Sequence, residues 1–83
     1  ISKNKIELTP DINVDSILEK MAKRYADYEV STIDGVKIMF EKEWVHLRKS
    51  NTEPIIRIYS ESRDMESADR LAKKIMQEIM ELK

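Results

Sequence analysis

The single glycine of this 83-residue chain, Gly35, follows Asp34. An Asp-Gly pair is typical of a tight hairpin turn, because glycine adopts a positive φ without steric cost. The residues before the pair, 29–33, have the composition of a strand, and apolar and polar residues alternate after it from Val36 onward. The pair therefore predicts two adjacent antiparallel strands, which constrains the fold more than any other feature of the sequence.

Further strands are predicted where apolar and polar residues alternate between turn signals. The segments with this pattern are 5–9, 36–40, 44–47 and 55–60. In the last of them, Ile56 and Ile58 fall on one face, whereas Arg57 and Tyr59 fall on the other. Phe40 and Trp44 are predicted to cover the core or a face of the sheet.

Two helices are predicted from apolar residues at helical spacing. The first follows the candidate N-caps Asp11 and Asn13, and the second follows the candidate N-cap Asp64. The predicted apolar positions are Val14, Ile17, Leu18, Met21 and Tyr25 in the first helix and Ala68, Leu71, Ala72, Ile75, Met76, Ile79 and Met80 in the second. The order strand, helix, three or four antiparallel strands, helix predicts an α+β two-layer sandwich. We expect an antiparallel sheet of about four strands with both helices on one face.

A polar loop, RKSNTEP at 48–54, connects two of the predicted strands. Arg48 offers a planar guanidinium that binds phosphate through two parallel hydrogen bonds. Ser50 and Thr52 add hydroxyl donors and Asn51 adds an amide donor, while successive backbone N–H groups in a tight loop form an anion nest. Ser, Asn and Thr are also ordinary turn residues. The loop is therefore compatible with an anion site and with a solvated turn.

Two neighbouring side chains also have alternative interpretations. Arg57 either reaches toward a ligand at the loop or pairs with a surface carboxylate. His46 is the only histidine and has no second ligand at metal spacing and no nucleophile beside it, so it is interpreted as a structural or solvent-facing strand residue. No catalytic residue and no metal site are predicted in the chain.

Composition excludes several classes of protein. The 15 basic and 16 acidic residues give a net charge of −1, which argues against a general nucleic-acid binder. The absence of cysteine excludes disulfides and thiolate metal sites. No apolar run approaches the ~20 residues that cross a bilayer, and no signal-peptide pattern begins the chain. We expect neither nucleic acid nor a membrane among the partners.

The stretch 34–62, DGVKIMFEKEWVHLRKSNTEPIIRIYSES, resembles the C-terminal domain of the α-D-phosphohexomutases. This family includes phosphoglucomutases, phosphomannomutases and phosphoglucosamine mutases. Its members share a D-G hairpin, a W-V strand, an R-x-S-N/G-T-E-P loop, an extended strand and a final helix. The resemblance covers essentially the whole chain, although the first 27 residues match only in pattern, and the loop motif is specific.

The resemblance implies a TATA-binding-protein-like fold and a place in a four-domain cytoplasmic enzyme that interconverts sugar 1-phosphate and sugar 6-phosphate. A phosphoserine in the first domain and a magnesium ion held by aspartates of the second domain carry out phosphoryl transfer. The fourth domain binds the substrate phosphate that is not reacting and rotates to close the cleft. We therefore expect 1–83 to be a single C-terminal domain of a longer protein. We expect the isolated domain to be inactive and to hold no cofactor.

The resemblance also implies roles for individual loop residues. The substrate-phosphate-binding positions are Arg48, Ser50, Asn51 and Thr52, with Arg57 where many members carry an arginine. Glu53 and Pro54 match the remainder of the motif and shape the loop. Asn51 stands where phosphoglucosamine mutases often carry Gly, which favours a phosphomannomutase or phosphoglucomutase. Lys49 replaces a small residue or proline.

Two other functions remain open at this point. The predicted layout also suits a stand-alone α+β binding or regulatory module that pairs through its sheet or senses a small molecule. A nucleic-acid role, by analogy with the TATA-binding fold, is disfavoured by the charge balance, and fold alone does not imply function.

Overall fold

Two helices and five strands follow one another in the computed structural model, which describes residues 1–50 and 53–82. The elements in chain order are β1 (Ser2–Glu7), α1 (Val14–Arg24), β2 (Glu29–Ser31), β3 (Val36–Met39), β4 (Trp44–Lys49), β5 (Ile55–Glu61) and α2 (Met65–Leu82). Neither helix of the described chain is long and apolar enough to cross a bilayer.

The strands of the described chain form one antiparallel sheet in the order β1-β5-β4-β3-β2. Both helices pack on one face of it, so the predicted α+β two-layer fold is confirmed. The sheet has five strands, one more than the expected four, because all five predicted strand segments join it, including the three-residue β2, which pairs with β3 as the Asp-Gly pair predicts. The first strand begins at Ser2 and ends at Glu7, earlier than the predicted 5–9. Leu8 lies just beyond the end of β1, and its backbone N–H donates to the Pro54 carbonyl at 2.7 Å.

The core lies between the sheet and the helices. Its strand members are the apolar side chains that point toward the helices. Fully buried members include Ile38, Val45, Leu47, Ile56 and Ile58 from the sheet and Met21, Ile75 and Ile79 from the helices. Phe40 packs edge-on against Tyr25 with the ring centroids 5.8 Å apart, which confirms its predicted covering role.

The prediction that Met80 belongs to the core is wrong, because 48% of its surface is exposed. Ile75 and Ile79 lie one turn apart on the face of α2 that meets the sheet, and each is fully buried. Met80 follows Ile79 by one residue, so it lies about 100° around the helix from that face. Met76 is offset in the same way from Ile75, but it still packs against the core.

Both helices begin at a predicted cap. Asn13 accepts a hydrogen bond from the Ser16 backbone N–H at 3.1 Å, so it caps α1 in preference to the other candidate, Asp11. Asp64 accepts one from the Ser67 backbone N–H at 2.7 Å at the start of α2. These side chains satisfy N–H groups that the helix itself leaves unpaired.

The connection between β2 and β3 consists of residues 32–35 and ends at Gly35, which has a φ of 76°. No other described residue has a positive φ, so the conformation predicted for this glycine is confirmed. The preceding strand was predicted to reach Ile33, but it ends at Ser31, and Ile33 is 96% exposed at the tip of the connection. Gly35 brings this connection directly against β4.

Replacing Ile79 with Ala should lower the free energy of unfolding by about 2–5 kcal/mol, because it leaves a cavity in a fully packed core. Met80→Ala is the matched control on the neighbouring, half-exposed position and should change that free energy by no more than about 0.5 kcal/mol. Urea unfolding followed by circular dichroism measures both. Equal losses would show that Met80 contributes to the core.

Asp64→Asn should change the pH dependence of stability while preserving the cap, because Asn caps helices about as well as Asp. The hydrogen bond from the Ser67 backbone N–H lowers the pKa of Asp64 below its ordinary value of 3.8. A lowered folded pKa means that the ionised carboxyl stabilises the fold above the unfolded pKa, and this stabilisation is lost as the pH falls through the folded value. The wild type should therefore be more stable than the variant near neutral pH, and the difference should disappear as the pH falls through the folded pKa of Asp64.

The measurement is the free energy of unfolding of both proteins from neutral to acidic pH. The control is Asp27→Asn, which removes an exposed carboxylate from the turn after α1. A wild-type advantage of constant size down to the lowest pH would contradict the assigned role of the Asp64 charge.

Candidate functional site

Arg48 lies near the end of β4, on the sheet face that carries no helix. Its neighbour Leu47 points into the core, so the alternation of the strand puts Arg48 on the opposite, open face. Half of its side chain is exposed, and Nη2 lies 3.4 Å from Oδ2 of Asp34. The guanidinium is therefore anchored on one side and open to solvent on another.

Arg57 lies directly opposite Arg48 in the β4–β5 pairing, and Lys5 lies opposite Arg57 in the β1–β5 pairing. The three cations form a row across three neighbouring strands on the open face. Lys5 has a distant carboxylate partner in Glu7, at 3.8 Å, whereas Arg57 has no carboxylate within ion-pair distance among residues 1–50 and 53–82. Of the two interpretations of Arg57, this arrangement favours a ligand, because like charges directly across a sheet are unfavourable without an anion between them.

The described ends of the polar loop are held together by hydrogen bonds. The Ser50 backbone N–H donates to the Ile55 carbonyl at 3.1 Å, and the Ser50 hydroxyl accepts from the Glu53 N–H at 3.3 Å. The Pro54 carbonyl accepts from Leu8. Glu53 and Pro54 thus contribute backbone contacts that close the loop at its base. Asn51 and Thr52 lie outside the described residues, so their predicted roles stay predictions.

The strand end that enters this loop is held on both faces of the sheet. On the helix face, Lys49 Nζ lies 2.8 Å from Asp15 Oδ1 in the first turn of α1. On the open face, Arg48 pairs with Asp34. Neither carboxylate was recognisable as a partner from the sequence. Asp34 and Arg48 are brought together by the β3–β4 register, in which Val36 lies opposite Leu47, and Asp15 and Lys49 by the packing of α1 on the sheet.

A cavity of about 490 Å³ opens between α1 and the 32–35 connection, immediately beside Arg48. Its lining combines apolar and charged side chains, among them Leu18, Ala22, Val36, Asp34, Arg48 and Lys49. This volume is within the range of small-molecule sites. Arg48 therefore lies at the border between the open sheet face and a cavity of ligand size.

His46 and Trp44 have structural partners on the open face. A ring nitrogen of His46, Nε2, contacts the backbone carbonyl of Asp34, which confirms its interpretation as a structural strand residue. Trp44 donates from Nε1 to Glu61 at 2.9 Å, and the Lys37 ammonium lies 4.7 Å from the centre of its ring. Trp44 thus covers the sheet face, as predicted.

The chemistry of the described site suits an anion. The Arg48 and Arg57 guanidinium groups lie beside the loop, and a guanidinium carries a positive charge and donates hydrogen bonds without accepting any. Within the part of the chain that the structure describes, no group of three His, Asp or Glu side chains converges as metal ligands would.

Comparison with known proteins matches the chain to the C-terminal domain that its sequence resembles. The family model described as phosphoglucomutase/phosphomannomutase, C-terminal domain, matches residues 5–78. A phosphoglucosamine/phosphogalactosamine mutase of Sulfurisphaera tokodaii is 41% identical over 75 residues, which are 88% of this chain and 16% of that protein. A phosphoglucomutase/phosphomannomutase of Thermococcus kodakarensis is 54% identical over 41 residues, which are 49% of this chain and 9% of that protein.

A third relative, a phosphomannomutase of Methanocaldococcus jannaschii, is 38% identical over 48 residues, which are 58% of this chain and 11% of that protein. The chain thus corresponds to a small part of each of these relatives. Since the family model covers nearly all of the described fold, the resemblance in sequence is confirmed. The chain belongs to the family of phosphoglucomutase/phosphomannomutase C-terminal domains.

Proposed function

We propose that this domain binds the non-reacting phosphate of a hexose phosphate and closes the active-site cleft of a longer phosphohexomutase. The observation that carries the proposal is the position of Arg48 beside Arg57 at the base of the RKSNTEP loop. Two guanidinium groups on adjacent strands attract a phosphate dianion more strongly than either does alone. Such an anion also offsets the repulsion between them.

Each group in the loop has a defined part in this proposal. Arg48 supplies charge and paired N–H donors, and Arg57 adds a second charge from the neighbouring strand. Ser50, Asn51 and Thr52 complete the phosphate contacts, and Glu53 and Pro54 shape the loop. Binding energy from the remote phosphate then orients the reacting end of the sugar. Phosphoryl transfer depends mainly on such positioning and on charge stabilisation.

The reaction itself requires groups that we assign to other domains. The phosphoserine and the aspartates that hold Mg²⁺ have no counterpart in these 83 residues. We therefore propose that the chain alone catalyses no mutase reaction and that its partners are the other domains and the phosphosugar. Relatives named for glucose, mannose and glucosamine phosphates all match the chain, so the proposal specifies a hexose phosphate in general. We propose a cytoplasmic location for the enzyme.

Arg48→Ala should weaken phosphate binding at least tenfold, because loss of a charge-assisted contact costs about 1.5–3 kcal/mol. Amide NMR of the ¹⁵N-labelled chain, titrated with glucose 1-phosphate and mannose 1-phosphate, measures the affinity. A dissociation constant of about 1 mM is expected for a single domain. Shifts should concentrate at 48–55 and be similar for the two sugars.

Arg70→Ala is the matched control for this titration. Arg70 is also an exposed arginine with a single carboxylate contact, 3.2 Å from Glu66, but it lies on α2. Its replacement should leave the affinity unchanged. Equal affinities of wild type and Arg48→Ala would refute the proposed role of Arg48.

Arg57→Gln should weaken the same binding without lowering stability. Gln keeps most of the length of the side chain but removes the charge that faces Arg48 and Lys5. Relief of that repulsion should raise the free energy of unfolding without phosphate by about 0.2–1 kcal/mol. Urea unfolding and the NMR titration measure the two effects separately. A variant that is less stable but binds phosphate normally would assign Arg57 to the fold and not to the ligand.

A further inference from the structure

We propose that Asp34 is a positioning residue that holds the Arg48 guanidinium in place for phosphate binding. The 32–35 connection would then be a second wall of the site, on the β3 side of Arg48. This inference rests on the proposed function, because it assumes that Arg48 binds phosphate. It assigns a role to a residue that the loop motif does not contain.

The first support is the contact between the two backbones. A Cβ added to Gly35 would lie 2.2 Å from the Leu47 carbonyl oxygen and 3.3 Å from the Arg48 Cα. Only a residue without a side chain permits this approach, so Gly35 sets the distance between the connection and the strand that carries Arg48. The residue before it, Asp34, is therefore held within reach of the guanidinium.

The second support is that the Asp34 backbone has its own anchor on β4. The Asp34 carbonyl contacts the His46 ring, and Val36 pairs with Leu47 just beyond the connection. These contacts involve neither the Asp34 carboxylate nor the Arg48 side chain. The position of the Asp34 backbone is thus determined by the fold, independently of the ion pair.

The third support is the geometry of the ion pair. A single nitrogen, Nη2, faces the carboxylate at 3.4 Å, and the two side chains are 49% and 68% exposed. A guanidinium has five N–H donors, so this contact leaves others for a phosphate. An exposed pair of this kind contributes little to stability. Its main consequence is to restrict the rotamers of Arg48, which reduces the entropy that is lost when a ligand orders that side chain.

The Asp34 charge also repels a bound phosphate, but this effect is weaker. The carboxylate is mostly exposed, so water and salt screen its interaction with an anion on the far side of Arg48. The net result should be that removing the charge weakens binding.

Asp34→Asn is the test, because Asn-Gly is itself a favoured turn pair and should preserve the connection. The dissociation constant for glucose 1-phosphate should rise roughly two- to fivefold. The Arg48 side-chain Nε–Hε signal should show a lower heteronuclear NOE than in the wild type, which reports faster motion of the guanidinium. The melting temperature should stay unchanged. In an Arg48→Ala background, the same substitution should have no effect on binding.

Asp27→Asn is the matched control, because Asp27 carries an exposed carboxylate that forms no ion pair among the described residues. Equal or tighter binding by Asp34→Asn than by this control would overturn the inference while leaving the proposed function intact. A binding defect of Asp34→Asn that persists in the Arg48→Ala background would also overturn the inference. Failure of the wild type to bind glucose 1-phosphate would instead count against the proposed function.

Discussion

The antiparallel pairing of β4 with β5 is the interaction on which the rest of the structure depends. It places Leu47 opposite Ile58 in the core and, one residue further, Arg48 opposite Arg57 on the open face. Side chains alternate strictly between the two faces of a sheet, so a slip of one residue would exchange the apolar and cationic sets. The hydrophobic core therefore enforces the register that brings the two arginines together.

The site combines groups that stabilise the fold with groups that oppose it. Lys49 and Asp15 join the end of β4 to α1, and Gly35 brings the β2–β3 connection against the same strand end. Arg48, Arg57 and Lys5 instead place like charges side by side. The contacts that hold the strand end offset this unfavourable row, and such local conflicts are expected at functional sites.

Much of the fold was predictable from local patterns. The strands, the Asn13 and Asp64 caps and the left-handed Gly35 follow from alternation, capping chemistry and turn preference, each of which acts over a few residues. The errors arose where tertiary packing decided the outcome. Periodicity could not show that Met80 lies beyond the face of α2 that meets the sheet. Nor could it show that β2 ends at Ser31, since strand ends depend on the partner strand.

The sequence by itself determined the α+β class, the loop motif and membership of the phosphohexomutase family, because these are properties of residue type and spacing. It also determined which side chains are available to bind an anion. Only the tertiary structure decided that Asp34 meets Arg48, that Asp15 meets Lys49 and that Arg57 lies between two cations. These pairs are separated along the chain and are joined by strand register and by the docking of α1, which no local pattern specifies.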